Sequence, residues 1–336
     1  MRAAICFLLL TFSLQAETLH LYTWADYISP DVVKKFEKQH GCEVVVDTFD
    51  SNEAMYAKLK AGATGYDVVF PTTYMIQVMQ AEGMLQSLDH GKLPNLPNID
   101  PEVLAKVIDQ KMEHSVPYTF AYATLAIRKD KVKDAEPSWG LFDRATLKGR
   151  MTMLDDMRES IGAALKFLGH SINTRDDAQL AAAQEVLIRW KQNLARYDNE
   201  GYKAGIDSAE FHLVHGYSGD LFQVQMENPK VEIVIPREGV TIGSDEMVIP
   251  KSAKQPALAH AFINFVLDPE IAAENMEWMG YYCPNKPARA KLSAEFLKNP
   301  AITIPAEIQA KCEVIQDLGP DLAKYSKVWD AVKAAR

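Results

Sequence analysis

The sequence predicts an α/β protein folded as two domains. Short β-branched segments alternate with amphipathic ones through the first part of the chain, the pattern of a parallel sheet with right-handed crossovers. The 336 residues exceed what one hydrophobic core usually organises. No internal repeat, low-complexity tract or flexible linker is present. Two domains without a linker are often joined by several short crossings, which suits lobes that hinge.

The chain opens with Met1 and Arg2, an apolar run from Ala3 to about Leu14, then Gln15 and Ala16. One basic residue, an apolar run too short to span a bilayer and a small terminal residue describe a cleaved secretory signal peptide over residues 1–16. The mature protein is then expected to begin near Glu17. The next elements follow from local chemistry. Leu19–Tyr22 reads as a strand. Ser29 caps a helix with Pro30 at its first position and Val32, Val33 and Phe36 on its apolar face, and Gly41 ends it. Cys42–Thr48 is a second strand, Ser51 caps a helix carrying Met55, Tyr56 and Leu59, Tyr66–Phe70 is a third strand, and Thr73 starts another helix. Further on, Met151–Leu154 reads as a strand, Asp176–Leu194 as a helix capped by Thr174, and Val231–Ile235 and Glu246–Ile249 as strands flanking a turn at Pro236–Gly239. Helices are expected at Pro256–Leu267 and Pro269–Met279.

Without Arg2 the remaining 35 basic residues face 45 acidic ones, a net charge of −10. An acidic chain with no Lys/Arg cluster argues against a nucleic-acid partner and is compatible with a cationic ligand. Beyond the leader, Cys42, Cys283 and Cys312 permit at most one disulfide, with Cys283–Cys312 the pair closest in sequence. Their spacing is not a zinc pattern.

In open α/β sheets, ligands bind beyond the carboxyl ends of the strands. Trp24-Ala25-Asp26-Tyr27 follows the first strand and Pro71-Thr72-Thr73-Tyr74 the third, so aromatic and hydroxyl groups converge on one edge. Asp155-Asp156-Met157-Arg158-Glu159 is the densest acidic site and sits where a strand passes into a helix. Its spacing serves a helix cap as well as it serves cation binding. Trp24, Tyr27, Tyr74, Tyr217, Tyr281 and Tyr282 fall in loops. Several aromatic walls suit an alkyl chain bearing cations, and buried ammonium groups require carboxylates such as Asp26, Asp156, Glu159 and Asp245. Enzyme motifs are absent. Gly216-Tyr217-Ser218-Gly219 lacks the second glycine of a nucleophile elbow because residue 220 is Asp220, so a hydrolase built on Ser218 with His212 or His215 has no oriented triad. The two histidines alone make no metal site, and no phosphate loop or dinucleotide fingerprint occurs.

Segments in order along the chain resemble the periplasmic spermidine/putrescine-binding proteins: Leu21–Pro30, Asp50–Leu59, Tyr66–Tyr74, Ser115–Tyr118, Leu154–Glu159, Gly216–Gly219, Pro236–Gly239 and Gly280-Tyr281. The resemblance implies a two-lobed type II periplasmic-binding-protein fold with the ligand cleft between lobes. Residues 17–121 and 245–289 would form the first lobe, residues 122–244 and 290–336 the second. It also implies a monomeric receptor without cofactor or catalysis, which captures a polyamine in the periplasm and delivers it to the membrane permease of an ABC importer. By matching position, Trp24, Asp26, Tyr27, Thr72, Tyr74, Asp156, Glu159, Tyr217, Asp245 and Tyr281 are the expected ligand contacts. Tyr217 stands where the family commonly has tryptophan, as does Gly243. A glutamine contact near the C-terminus falls on Ile315 or Gln316. Other ligands for the same scaffold are another small cation, an amino acid, or ferric iron held by Tyr281 and Tyr282. A sensing or adhesive role would begin with the same capture.

Overall fold

The computed structural model describes residues 17–335, so the expected signal peptide at 1–16 lies outside the described residues. Among the described residues ten strands form one sheet, eight of them in a single path of hydrogen-bonded neighbours. They are β1 (Thr18–Thr23), β2 (Glu43–Thr48), β3 (Val68–Val69), β4 (Ser115–Arg128), β5 (Met151–Met153), β6 (Arg196–Tyr197), β7 (Leu213–Tyr217), β8 (Val231–Val234), β9 (Thr241–Val248) and β10 (Glu313–Val314). Their order is β2-β1-β3-β9-β4-β7-β5-β6, with β10 beside β9 and β8 beside β4. β1, β2 and β3 are parallel, and so are β5, β6 and β7. The sheet is nonetheless mixed, because β4 and β9 run antiparallel to each other, β4 antiparallel to β7 and β8, and β9 antiparallel to β3, while β10 joins β9 in parallel.

The first elements form as the local chemistry dictates. Ser29 Oγ accepts from the Asp31 amide at the start of helix Pro30–His40, and Gly41 closes it in the left-handed conformation at φ 65°. Ser51 caps Asn52–Lys60 through the Ala54 amide. Two expectations are corrected and one open question is answered. Helix Asp177–Lys191 is capped by Asp176, whose carboxylate accepts from the amides of Ala178 and Gln179, while Thr174 bonds Gln179 instead. The strand expected from Glu246 begins at Thr241. And Cys42, Cys283 and Cys312 are free thiols. Cys283 is buried in the core under the first three strands, whereas Cys312 packs against the core of the other half, so no bridge joins them.

β4 and β9 are the elements that matter most for the cleft. β4 pairs with β9 over Ser115–Tyr122, then passes on to pair with β7 and β8 over Ala123–Arg128. Its one proline, Pro117, lies at a register shift in the β4–β9 pairing, where the missing amide is tolerated. On one side of this ribbon the core contains Leu19, Leu21, Phe36, Phe70 and Phe262. On the other it contains Leu125, Trp139, Met151, Leu165 and Trp190.

Candidate ligand-binding site

A cavity of about 460 Å³ opens at the carboxyl ends of β1, β3, β5 and β7 and along β9. All ten residues expected as ligand contacts line it. The strand-to-helix turns explain how. Trp24 to Tyr27 leave β1, Thr72 and Tyr74 lie at the start of helix Thr73–Ala81, and Asp156 and Glu159 at the start of helix Met157–Phe167. Tyr217 ends β7, and Asp245 lies on β9 itself, bridged by backbone pairing to Thr72.

Asp245 is buried and held by hydroxyls. Thr72 donates to it at 2.6 Å, and Tyr27 donates to its other oxygen while also meeting Thr119 at 2.6 Å. Asn52 fixes Thr72 from behind, donating to its hydroxyl and accepting from its amide, each at 3.0 Å. Burial raises the Asp245 pKa to about 6, against the pull of the Thr72 and Tyr27 hydrogen bonds. Hydroxyl donors orient this carboxylate but bring it no positive charge.

Asp156 serves both readings of its acidic cluster at once. Its carboxylate caps helix Met157–Phe167, accepting from the amides of Arg158 at 2.8 Å and Glu159 at 3.0 Å, and it also faces the cavity. Glu159 takes a hydrogen bond from Thr241. Burial first, and the proximity of the two carboxyls second, push the Glu159 pKa up; burial also raises that of Asp156, which the cap amides counter. Arg158 also lines the cavity and its charge partly offsets the rise at both carboxyls, but its guanidinium donates to the Gln316 carbonyl at 3.0 Å and to Asn173 at 2.8 Å rather than to either of them. Among the described residues no lysine or arginine forms an ion pair with Asp245, Asp156 or Glu159.

The walls are aromatic. Trp24 donates to the Phe70 carbonyl at 2.9 Å and leans on Phe49, ring centroids 4.4 Å apart. The Tyr27 ring meets Tyr281 edge-on at 5.4 Å. Tyr74 donates to Glu53 at 3.2 Å. Burial keeps the phenols of Tyr27, Tyr74, Tyr217 and Tyr281 protonated. Two glycines of the 216–219 segment make room for this packing. A Cβ on Gly219 would stand 2.2 Å from the Tyr281 ring, and one on Gly216 2.3 Å from Tyr202.

Several sequence questions are answered here. Ile315 lines the cavity and Gln316 does not. Gly243 lines it too, and a Cβ there would meet the Thr72 methyl at 3.4 Å. Tyr281 faces the cavity, but Tyr282 does not: it pairs with the Phe120 backbone and lies under Arg289, so the two tyrosines do not form one iron-binding pair. Ser218 is buried at a helix start, and His215 packs against Trp139, its ring nitrogens without hydrogen-bond partners and its pKa driven to about 3 by burial. No group of three or more His, Cys, Asp or Glu among the described residues is placed to hold a metal. The sequence reading missed Lys203 and Asp220, which line the cavity together with Asp26. Nothing in the local pattern of helix Tyr202–Ser208 marks Lys203.

Residues 31–304 match the family model for bacterial extracellular solute-binding proteins. The chain is 36% identical over 332 residues to the putrescine/cadaverine-binding protein of Pseudomonas aeruginosa, covering 95% of this chain and 94% of that one. It is 34% identical over 322 residues to the spermidine/putrescine-binding periplasmic protein of Salmonella typhimurium, covering 95% and 92%. Among solved structures it resembles the spermidine/putrescine ABC transporter substrate-binding protein of Streptococcus pneumoniae, with a TM-score of 0.83, 33% identity and 95% and 99% coverage. The two-lobed fold expected from the sequence is that of these relatives, and the chain belongs to the family of bacterial extracellular solute-binding proteins.

Proposed function

We propose that this protein is a periplasmic receptor that captures a polyamine and delivers it to the permease of an ABC importer. One observation carries the reading: in an aromatic-walled cavity between lobes three buried or half-buried carboxyl groups, Asp245, Asp156 and Glu159, have no ion-paired cation among the described residues. Burying unpaired carboxylates is costly, so the site is complementary to a ligand that supplies positive charge. Ammonium groups at Asp245 and at the Asp156–Glu159 pair, with methylenes between Trp24, Tyr27, Tyr74, Tyr217 and Tyr281, satisfy both chemistries. Thr72 orients Asp245 for this contact. The relatives named above are polyamine-binding proteins by name, which supports the same ligand class.

The lobes of the proposed receptor are residues 17–121 with 245–289 and residues 122–244 with 290–336. Supporting this, both of the first two boundaries fall on the β4–β9 ribbon, where Ala121 pairs with Gly243 and Phe120 with Ser244. Closure is then a bending of that ribbon. We take the receptor to act as a monomer, released to the periplasm after removal of residues 1–16.

The test is a thermal shift of protein unfolded and refolded to strip carried-over ligand, with putrescine, cadaverine, spermidine, spermine, basic amino acids and ferric iron. A ligand at 100 times its Kd adds about 2.7 kcal/mol, which moves the midpoint of a chain this size by a few degrees. A shift with a polyamine alone is the expected result. A shift with an amino acid or iron and none with any polyamine overturns it.

A further inference from the structure

At one end of the cavity Asp26, in the turn after β1, and Asp220, in helix Ser218–Glu227, approach the same point from opposite sides. The ammonium of Lys203 occupies that point. It stands 3.0 Å from Asp26, 3.4 Å from Asp220 and 3.2 Å from the Gln223 side-chain oxygen. The second oxygen of Asp220 accepts from the Tyr202 hydroxyl at 2.5 Å. Three N–H donors thus meet three oxygen acceptors, the complete coordination of a primary ammonium. Asp26 reaches its place with φ at 51°, a left-handed conformation that aspartate adopts more readily than most residues. Burial works against the charge on Lys203, but Asp220 and Asp26 outweigh it and raise its pKa.

We infer that Lys203 fills, from within the protein, a place that a ligand ammonium would otherwise take, so that the cavity selects a diamine over a longer triamine or tetramine. The inference rests on the polyamine reading and deepens it. Two acidic stations stay open to ligand charge, Asp245 and the Asp156–Glu159 pair, and each accepts one ammonium. A third ammonium has two places to go. It meets the Lys203 cation, or it is left with Asp50 and Glu200, the exposed carboxylates of the lining, whose attraction water weakens, and neither repays the cost of its burial.

The test measures putrescine, cadaverine, spermidine and spermine binding by titration calorimetry on refolded, ligand-free protein and on Lys203→Met and Lys203→Ala. Lys203→Met keeps most of the side-chain bulk and removes the charge, and it still gives a readout should Lys203→Ala fail to fold. The expected result is a parent protein that binds diamines at least tenfold more tightly than spermidine, with both variants moving that ratio tenfold or more toward spermidine. A parent that binds spermidine as tightly as putrescine overturns the assignment, as does a ratio that neither variant moves. Absence of binding by any polyamine, in parent and variants alike, is the separate result that removes the polyamine reading itself and the assignment with it.

Discussion

The two acidic ends of the cavity use the same residue types to opposite effect. Asp26 and Asp220 share one lysine, so each carboxylate at their end of the cavity already has a cationic partner. Asp245 and the Asp156–Glu159 pair receive hydrogen bonds from hydroxyls and amides only, and burial lifts their pKa values. A neutral donor fixes where a carboxylate points without cancelling its charge. The first end is therefore finished by the fold, and the second is finished only by what binds there.

Removing Asp245 tests that contrast most strongly. Asp245→Asn is nearly isosteric and discards only the charge. It should weaken polyamine binding by about a hundredfold or more in calorimetry, within the roughly 1.5–7 kcal/mol measured for close charge pairs at interfaces. A loss below tenfold would show that Asp245 is not the central counter-charge. At Asp156 charge and capping separate by choice of substitution. Asp156→Asn keeps an acceptor for the helix amides and should lose about tenfold in affinity at almost unchanged stability. Asp156→Ala should lose the same affinity and in addition about 1 kcal/mol of stability, read as a lowered unfolding midpoint.

A pH series sharpens the contrast further. With Asp245 raised to about 6 in the unliganded cavity, an arriving ammonium favours its ionised form and pulls the pKa down. Affinity should be full above about pH 7 and fall as pH drops through 6, with proton release on binding greatest near pH 6. The ligand-free fold behaves in the opposite sense. A carboxyl whose folded pKa lies above its unfolded value stabilises the fold at low pH and loses that contribution as pH rises through about 6. Glu246, raised by burial to about 7 and bonded to Ser115 rather than facing the cavity, adds to this trend without answering to ligand. The smallest effect belongs to the Lys203 end. Asp26→Asn leaves Lys203 with Asp220 and should change putrescine affinity by no more than about threefold. A large loss there would mean that Asp26 meets the ligand directly.

Much of this site was legible in the sequence because it is built at strand-to-helix turns, where local chemistry is loud. Ser29, Gly41 and Ser51 announced their helices, and ten residues named from loops and matching motifs all line one cavity. Lys203 stayed hidden because its meaning comes from Asp26, 177 positions away. Asp220 was passed over because the segment before it drew attention to Ser218. β4 was missed as a strand: it is buried on both faces, so it shows no alternation, and Pro117 argues locally against it. Thr174 and Asp176 are both competent caps, and only the three-dimensional path of the chain chose between them.

The two glycines beneath Tyr281 and Tyr202 decide where this binding protein can diversify. With ring carbons only 2.2 and 2.3 Å from where a Cβ would stand, any substitution at Gly219 or Gly216 drives a tyrosine out of position, so that flank is frozen for evolution and for the engineer alike. The opposite flank is permissive. A Cβ at Gly243 meets nothing nearer than the Thr72 methyl at 3.4 Å, and Ile315 offers a second replaceable contact on the lining. A lineage that changed its diet would be expected to write the change at residues 243 and 315 while leaving 216 and 219 untouched.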